Sequence, residues 1–431
     1  RSSSKTNKKL KKNVLQLIYI IKKINSFPLY KMSFVKLIDN EHNQSIKFIE
    51  SLLSHEEEIR LKSFCFSLTK EELEGEIIDM LKRFLDEKCC PMFLSASLIN
   101  LIKVRFLTED LSGFALRQIC EGDILEYDAA KLTSGLNEAV KNVLNEILLK
   151  RMQLYRHQHV RHYLISDFSI KNMRRNMEDR HIAFTDINTL FGLNEIDCSQ
   201  SLFAVFDGHG GIDASNYAAS HLLMKLKSSK FLLNNPSMAL KEAVMQTDAD
   251  FLSKCKREKL RCGSTAVVVL IQDQNLTVAW LGDSQVVLCK GGNAVQLMDP
   301  HKPDREDERQ RIETLGGCVV YFNGWRVNGQ LSVSRAIGDC DQKPFISSEP
   351  DVEEYELEGD EEFLILACDG LWDNVEPVEA VQLVNVCIKN GSRSSAAEQL
   401  VMLAKKNKSE DNITVLIVYL DVQEISSKIH S

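Results

Sequence analysis

TAVVVLIQDQNLTVAWLGDSQVVLCKGGNAVQL, residues 265–297, decides the fold. The β-branched runs TAVVVLI and LTVAWL flank QDQN, and QVVLC is followed by KGGN and then AVQL. Gaps of that size join neighbouring strands as hairpins, so the sheets are expected to be antiparallel. Helical segments interrupt the strand pattern around 213–231, 237–260, 304–315, 378–389 and 394–406. Strands in blocks with helices between them predict a layered α+β architecture in which helices cover sheet faces.

Working towards the N-terminus, the pattern changes near residue 155, where a domain boundary is placed. From 45 to 155 the sequence reads as a helical region. Leu73, Ile77, Leu81 and Phe84 or Leu85 recur at helical spacing, with Thr69 and Glu72 set as a capping box before them. Leu136, Val140, Val143, Leu144 and Ile147 form a second stripe of the kind that packs on other helices. Residues 1–44 read as a basic, disordered tail in which Met32 is a plausible beginning, and 422–431 as a C-terminal tail.

The full chain of 431 residues is long enough for two or three domains, and 44% hydrophobic with 26% charged residues is the balance of a globular protein. A formal charge of -8 argues against nucleic acid as the main partner, because that binding rests on clustered Lys and Arg. The apolar run at 14–21 is far short of the roughly 20 residues needed to span a bilayer, so no membrane span is expected. Twelve cysteines without a C-x-x-C pair or a short regular framework read as reduced thiols, as in a cytoplasmic or nuclear protein.

FAVFDGHGG, at 203–211, sets Asp207 in a glycine-rich turn straight after a buried run. Any one Asp beside Gly or Asn at a strand end is ordinarily a turn residue. The arrangement recurs, however, at Asp283 in WLGDS, at Asp369 and Asp373 in LACDGLWD, and at Asp411 in SEDNITV. Were these acids to converge, each pair at about 4 Å would repel by roughly 4 kcal/mol at an effective dielectric near 20. A hard cation relieves that conflict, and an all-oxygen ligand set favours Mg2+ or Mn2+ over zinc. Gly208 would let its carbonyl approach the ion. Two such ions can activate a water for in-line attack on phosphorus, which is phosphoester hydrolysis without a phosphoenzyme. His209 reads equally as a proton donor to the leaving group or as a polar turn residue bonded to a carboxylate.

The ordered motifs RRNMEDRH, FAVFDGHGG, CGSTAVVV, LGDSQVVL, HKPDREDERQRIETLGG, RVNGQLSVSRAIGD, ACDGLWD and SEDNITVLIV resemble the metal-dependent serine/threonine phosphatases of the protein phosphatase type 2C family. The resemblance covers roughly residues 160–421 and makes 156–421 the catalytic domain. It implies an α-β-β-α sandwich, with two antiparallel sheets packed face to face and helices outside, preceded by an all-helical N-terminal region. It also implies roles: Arg174 to grip the substrate phosphate, Glu178 to hold one metal, and Asp179 to bond nearby water. Asp207 is then the bridging ligand, Gly208 the carbonyl ligand, and Asp369 and Asp411 the acids of the other metal. Asp283 and Asp373 match a weaker third ion, and His209 the general acid. Gln285 and Ser332 depart from the residues frequent there. FTDINTLFGLNE and RAIGDCDQKPFIS look most like the calcium/calmodulin-dependent protein kinase phosphatase branch. That branch implies phosphorylated kinases as substrates and a scaffold partner for the helical region.

Two rivals differ in class. Cys255 and Arg261 have the C-x5-R spacing of a cysteine phosphatase, but the intervening KREKL is charged, lacks glycine and reads as a helix end. A catalytically inactive, phosphatase-shaped binding module would be expected to have lost a ligand; Arg174, Glu178, Asp207, Asp369 and Asp411 are all present.

Overall fold

Alternation along the strand Gln200–Phe206 shows how the layers form. Leu202, Ala204 and Phe206 point into one hydrophobic cluster, and Phe203 and Val205 into another. Side chains of a strand alternate between faces, so a wholly apolar strand must be covered on both sides. The computed structural model describes residues 28–54, 59–118, 125–152, 154–157, 160–193 and 195–420. Two five-stranded antiparallel sheets stack face to face. The first runs, in spatial order, Asp351–Glu356, Asn275–Leu281, Ala266–Gln272, Gln200–Phe206 and Arg180–Phe184. The second runs Asn293–Gln296, Gln285–Lys290, Glu361–Ala367, Ile413–Tyr419 and Leu164–Ile170.

Between the sheets lie Val267, Val269, Val278, Val286, Leu364 and Leu416, all fully buried. The helices Pro377–Lys389 and Ala396–Lys406 cover the outside of the second sheet. Asp213–Ser228 and Pro236–Glu258 cover the outside of the first. Helix Pro236–Glu258 starts where it does because Asn235 Oδ1 accepts from the Met238 amide at 2.9 Å and proline opens its first turn. Every helix expected in this half is present, including Glu306–Thr314. The hairpins at 272–275 and 290–293 form as read, but the Gly282–Asp283–Ser284 turn between them carries the chain from the first sheet to the second. That crossing leaves Asp283 at the rim of the sandwich.

The N-terminal region is helical, as expected, through Leu73–Glu87, Met92–Leu107 and Ala129–Lys150. Leu73, Ile77, Leu81, Phe84 and Leu85 are all buried, and each contributes about 1.5–3 kcal/mol by leaving water. Half of the expected capping box forms: the Glu72 carboxylate accepts from the Thr69 amide at 2.8 Å, and the helix begins at Leu73 without a side-chain cap. Two features correct the sequence reading. The region is not all helix, because Ser67–Thr69, Ala115–Gln118 and Leu125–Asp128 pair as a small three-stranded sheet. Nor does the tail extend to residue 44, since a helix spans Pro28–Ser54. Residues 1–27 and 421–431 lie outside the described residues. Among the described residues no helix is long and apolar enough to cross a membrane.

Candidate active site

Glycines bring the acid-bearing segments together. A Cβ on Gly370 would lie 2.0 Å from the Asn412 carbonyl oxygen, and one on Gly208 would lie 2.3 Å from that of Glu178. Only glycine tolerates such approach. The residue after Asp369 therefore abuts the one after Asp411, and the residue after Asp207 abuts Glu178. This close packing, rather than carbonyl access alone, is a direct reason for glycine at 208. Asn412 ties a third segment in: its Oδ1 accepts from the Glu178 amide at 2.8 Å, and its amide nitrogen donates to the carbonyls of Lys171 and Asn176 at 2.9 Å each.

The result is a cavity of about 450 Å³ lined by Arg174, Glu178, Asp207, Gly208, His209, Asp283, Asp369 and Asp411. Asp207, Asp283 and Asp369 each present an oxygen within 4.8 Å of the others, and Asp179, Asp207 and Cys368 form a second such group. Burial, then the charges of Asp369, Asp179, Asp283 and Asp411, hold the Asp207 carboxyl well above the usual range. Burial with Asp283, Asp373 and Asp411 does the same to Asp369. Asp179 is pushed up to about 6, chiefly by burial; its Oδ2 accepts from Thr414 Oγ1 at 2.8 Å, while its buried Oδ1 has no hydrogen-bond partner. Such carboxylates are ready to give up protons to a divalent cation, and an oxygen-rich donor set with an orphaned oxygen fits a hard one.

The remaining predicted residues sit at the margins. Arg174, with 61% of its side chain exposed at the cavity mouth, pairs with Asp411 at 2.6 Å. Glu178 Oε2 accepts from the Gly211 amide at 3.3 Å. Asp373 does not line the cavity and is 60% exposed. Asp283 and Asp373, the pair matched to a third ion, both lie within ion-pair distance of Lys302, at 3.1 and 3.6 Å. A third ion there would compete with that ammonium group.

His209 Nε2 meets the Asp339 carboxylate at 2.8 Å. Burial lowers the affinity of the ring for a proton, but the hydrogen bond and charge of Asp339 outweigh it and raise the pKa. A Cβ on Gly263 would fall 2.2 Å from Asp339 Oδ2 and 2.6 Å from His209 Nε2, so this glycine makes room for the pair. Lys302, Asp339, Asn412 and Cys368 were all missed as site residues. All four stand within quoted motifs, Asp339 in RAIGD, Lys302 in HKP, Asn412 in SEDNITV and Cys368 in ACDGLWD, but nothing local in the chain marks them as part of the site. The cysteine-phosphatase rival fails on geometry: Cys255 is buried on helix Pro236–Glu258 with its thiol pushed up to about 12 by burial, while Arg261 is 82% exposed and pairs with Asp341.

The two-sheet sandwich with helices outside is an α+β fold found in solved structures. A C. elegans sex determining protein superposes with a TM-score of 0.69 at 23% identity, over 83% of this chain and 90% of that one. A serine-threonine phosphatase 2C from Toxoplasma gondii gives a TM-score of 0.55 at 24% identity, over 62% of this chain and 96% of that one. These likenesses show the fold alone. The chain belongs to the protein phosphatase 2C family, whose profile matches residues 163–413. Mouse protein phosphatase 1E is 46% identical over 362 residues, which take in 82% of this chain and 47% of that protein, so the chain spans about half the length of that relative. Human protein phosphatase 1F is 42% identical over 390 residues, 87% of this chain and 86% of the relative.

Proposed function

We propose that the protein is a serine/threonine phosphatase that hydrolyses phosphoserine and phosphothreonine esters at the cavity below Arg174. The observation that carries this reading is the convergence of Asp207, Asp283 and Asp369 within 4.8 Å, in a chain of this family. Asp207, Glu178, Asp369 and Asp411 would hold two divalent ions, Mg2+ or Mn2+, with the Gly208 carbonyl. When bound, the ions neutralise the carboxylates and acidify a water. Arg174 binds and orients the phosphoryl group, a task suited to a planar, permanently charged fork at the mouth. His209, whose protonated form the Asp339 carboxylate favours, would donate its proton to the serine or threonine oxygen as the phosphorus–oxygen bond breaks. The relatives named protein phosphatase 1E and 1F support this reading. Phosphorylated kinases of the calmodulin-dependent class are the proposed substrates, and the helical region the proposed site for a scaffold partner.

Manganese-dependent release of phosphate from a phosphothreonine peptide tests the activity; no release at any manganese concentration would refute it. Within that assay Arg174→Ala should raise KM about 10-fold to 100-fold with little change in kcat, the cost of a charge-assisted hydrogen bond of about 1.5–3 kcal/mol. A fall confined to kcat would give Arg174 another role. His209→Ala should slow release from a phosphothreonine peptide far more than from nitrophenyl phosphate, whose leaving group scarcely needs a proton. Equal losses would remove the acid role.

A further inference from the structure

We infer that Asp79, on the N-terminal helix Leu73–Glu87, is a positioning residue for the metal centre, acting through its ion pair with Arg180. The inference rests on the metal-centre reading above and extends it to a region outside the matched family segment. Arg180 immediately follows Glu178 and Asp179 and opens the strand Arg180–Phe184, where it pairs with Phe206, the residue before Asp207. Its orientation therefore bears on both acid-bearing segments at once.

Three elements fix that guanidinium. Nη2 donates to Asp79 Oδ1 at 2.7 Å, and Nη1 donates to Asn216 Oδ1 at 2.5 Å. The group also lies over the Phe64 ring, 5.6 Å from its centroid. Asp79 is itself fixed, because its Oδ2 accepts from Arg83 Nε at 2.8 Å. Asn216 belongs to helix Asp213–Ser228, which follows the 207–212 loop directly, and its neighbour Ser215 donates to the Glu178 carbonyl at 2.5 Å. The N-terminal helix reaches this helix a second time, at Gly75, where a Cβ would lie 2.6 Å from the Ser220 carbonyl oxygen. One arginine thus joins the N-terminal region, the strand that follows Asp179 and the helix behind Gly208.

Asp79 and Arg180 side chains are only 5% and 12% exposed. Without the Asp79 charge, a nearly buried guanidinium is left with neutral partners alone and stands one residue from the carboxylates meant for a cation. It would turn towards them, and it would no longer hold the strand start. Hydrogen-bond partners behind metal ligands ordinarily set affinity in this way.

The test is a calorimetric titration of the full chain with manganese, with folding checked by circular dichroism. Asp79→Asn should bind manganese about 10-fold to 100-fold more weakly, as loss of an outer partner does. Asp79→Glu should recover affinity, and Lys82→Ala, which on the same helix removes the Lys82–Asp86 pair and a cation–π contact with Phe184 but leaves the Asp79–Arg180 pair in place, should leave it unchanged. Affinity in Asp79→Asn equal to the wild type overturns the inference. Should that variant not fold, Asn216→Ser loosens the same guanidinium, and unchanged affinity there overturns it equally. A wild-type chain that takes up no manganese would instead refute the metal-centre reading.

Discussion

Asp207→Asn is expected to abolish turnover for practical purposes while leaving the protein folded. Asp207 belongs to both close groups of ligand atoms at the cavity, and among the described residues no other does. Losing its charge removes several kcal/mol of the stabilisation that bound cations give to charge developing at phosphorus. At 1.36 kcal/mol per tenfold, about 4 kcal/mol is roughly a thousandfold in rate. The same change removes a buried carboxyl whose ionisation is opposed by burial and by Asp369, Asp179, Asp283 and Asp411. The metal-free variant should therefore melt above the metal-free wild type, and manganese should raise its melting temperature little. Phosphate release and paired melts with and without manganese check both halves. Activity near the wild-type level at limiting manganese would contradict the assignment.

Acidity gives the second large effect. The folded-state pKa values of Asp207, Asp283 and Asp369 are raised by burial, and that of Asp179 lies at about 6. Groups raised in this way favour the folded state fully below their unfolded pKa, near 4. That contribution is lost as pH rises through the folded values, for Asp179 between about 4 and about 6. Glu308 acts in the opposite sense: Arg335 and Arg311 outweigh its burial and hold it at about 2, so its contribution is lost only as pH falls below 4 towards that value. In EDTA the melting temperature should accordingly decline from mildly acid to neutral pH. Saturating manganese should abolish most of the decline. Glu76, raised to about 7 by burial, loses stability over an overlapping range. It lies outside the cavity, so the difference between the two profiles isolates the site. Profiles that run parallel would show that these carboxylates do not bind the ion.

Legibility in the sequence followed the range of the interaction. The run at 265–297 gave antiparallel pairing because hairpins are local, and Asp207, Asp283, Asp369 and Asp411 were visible because acid, turn residue and β-branched run adjoin in the chain. Helix Met92–Leu107 was not singled out, since it is apolar on nearly every side and shows no stripe. The small N-terminal sheet escaped because strands as short as Ser67–Thr69 leave almost no alternation to read. Lys302 beside Asp283, Asp339 beside His209, Asn412 beneath Glu178 and Asp79 beside Arg180 meet only in the folded chain. Gly370 likewise stands out only in the folded chain, through the space it leaves for the Asn412 carbonyl.

Crystals of the full chain soaked in manganese, with anomalous differences recorded, test the convergence of the acids most directly. Strong anomalous density among the carboxylates of Asp207, Glu178, Asp369 and Asp411 is the predicted result. A map without density there at saturating manganese, or with those side chains turned away from one another, would contradict it.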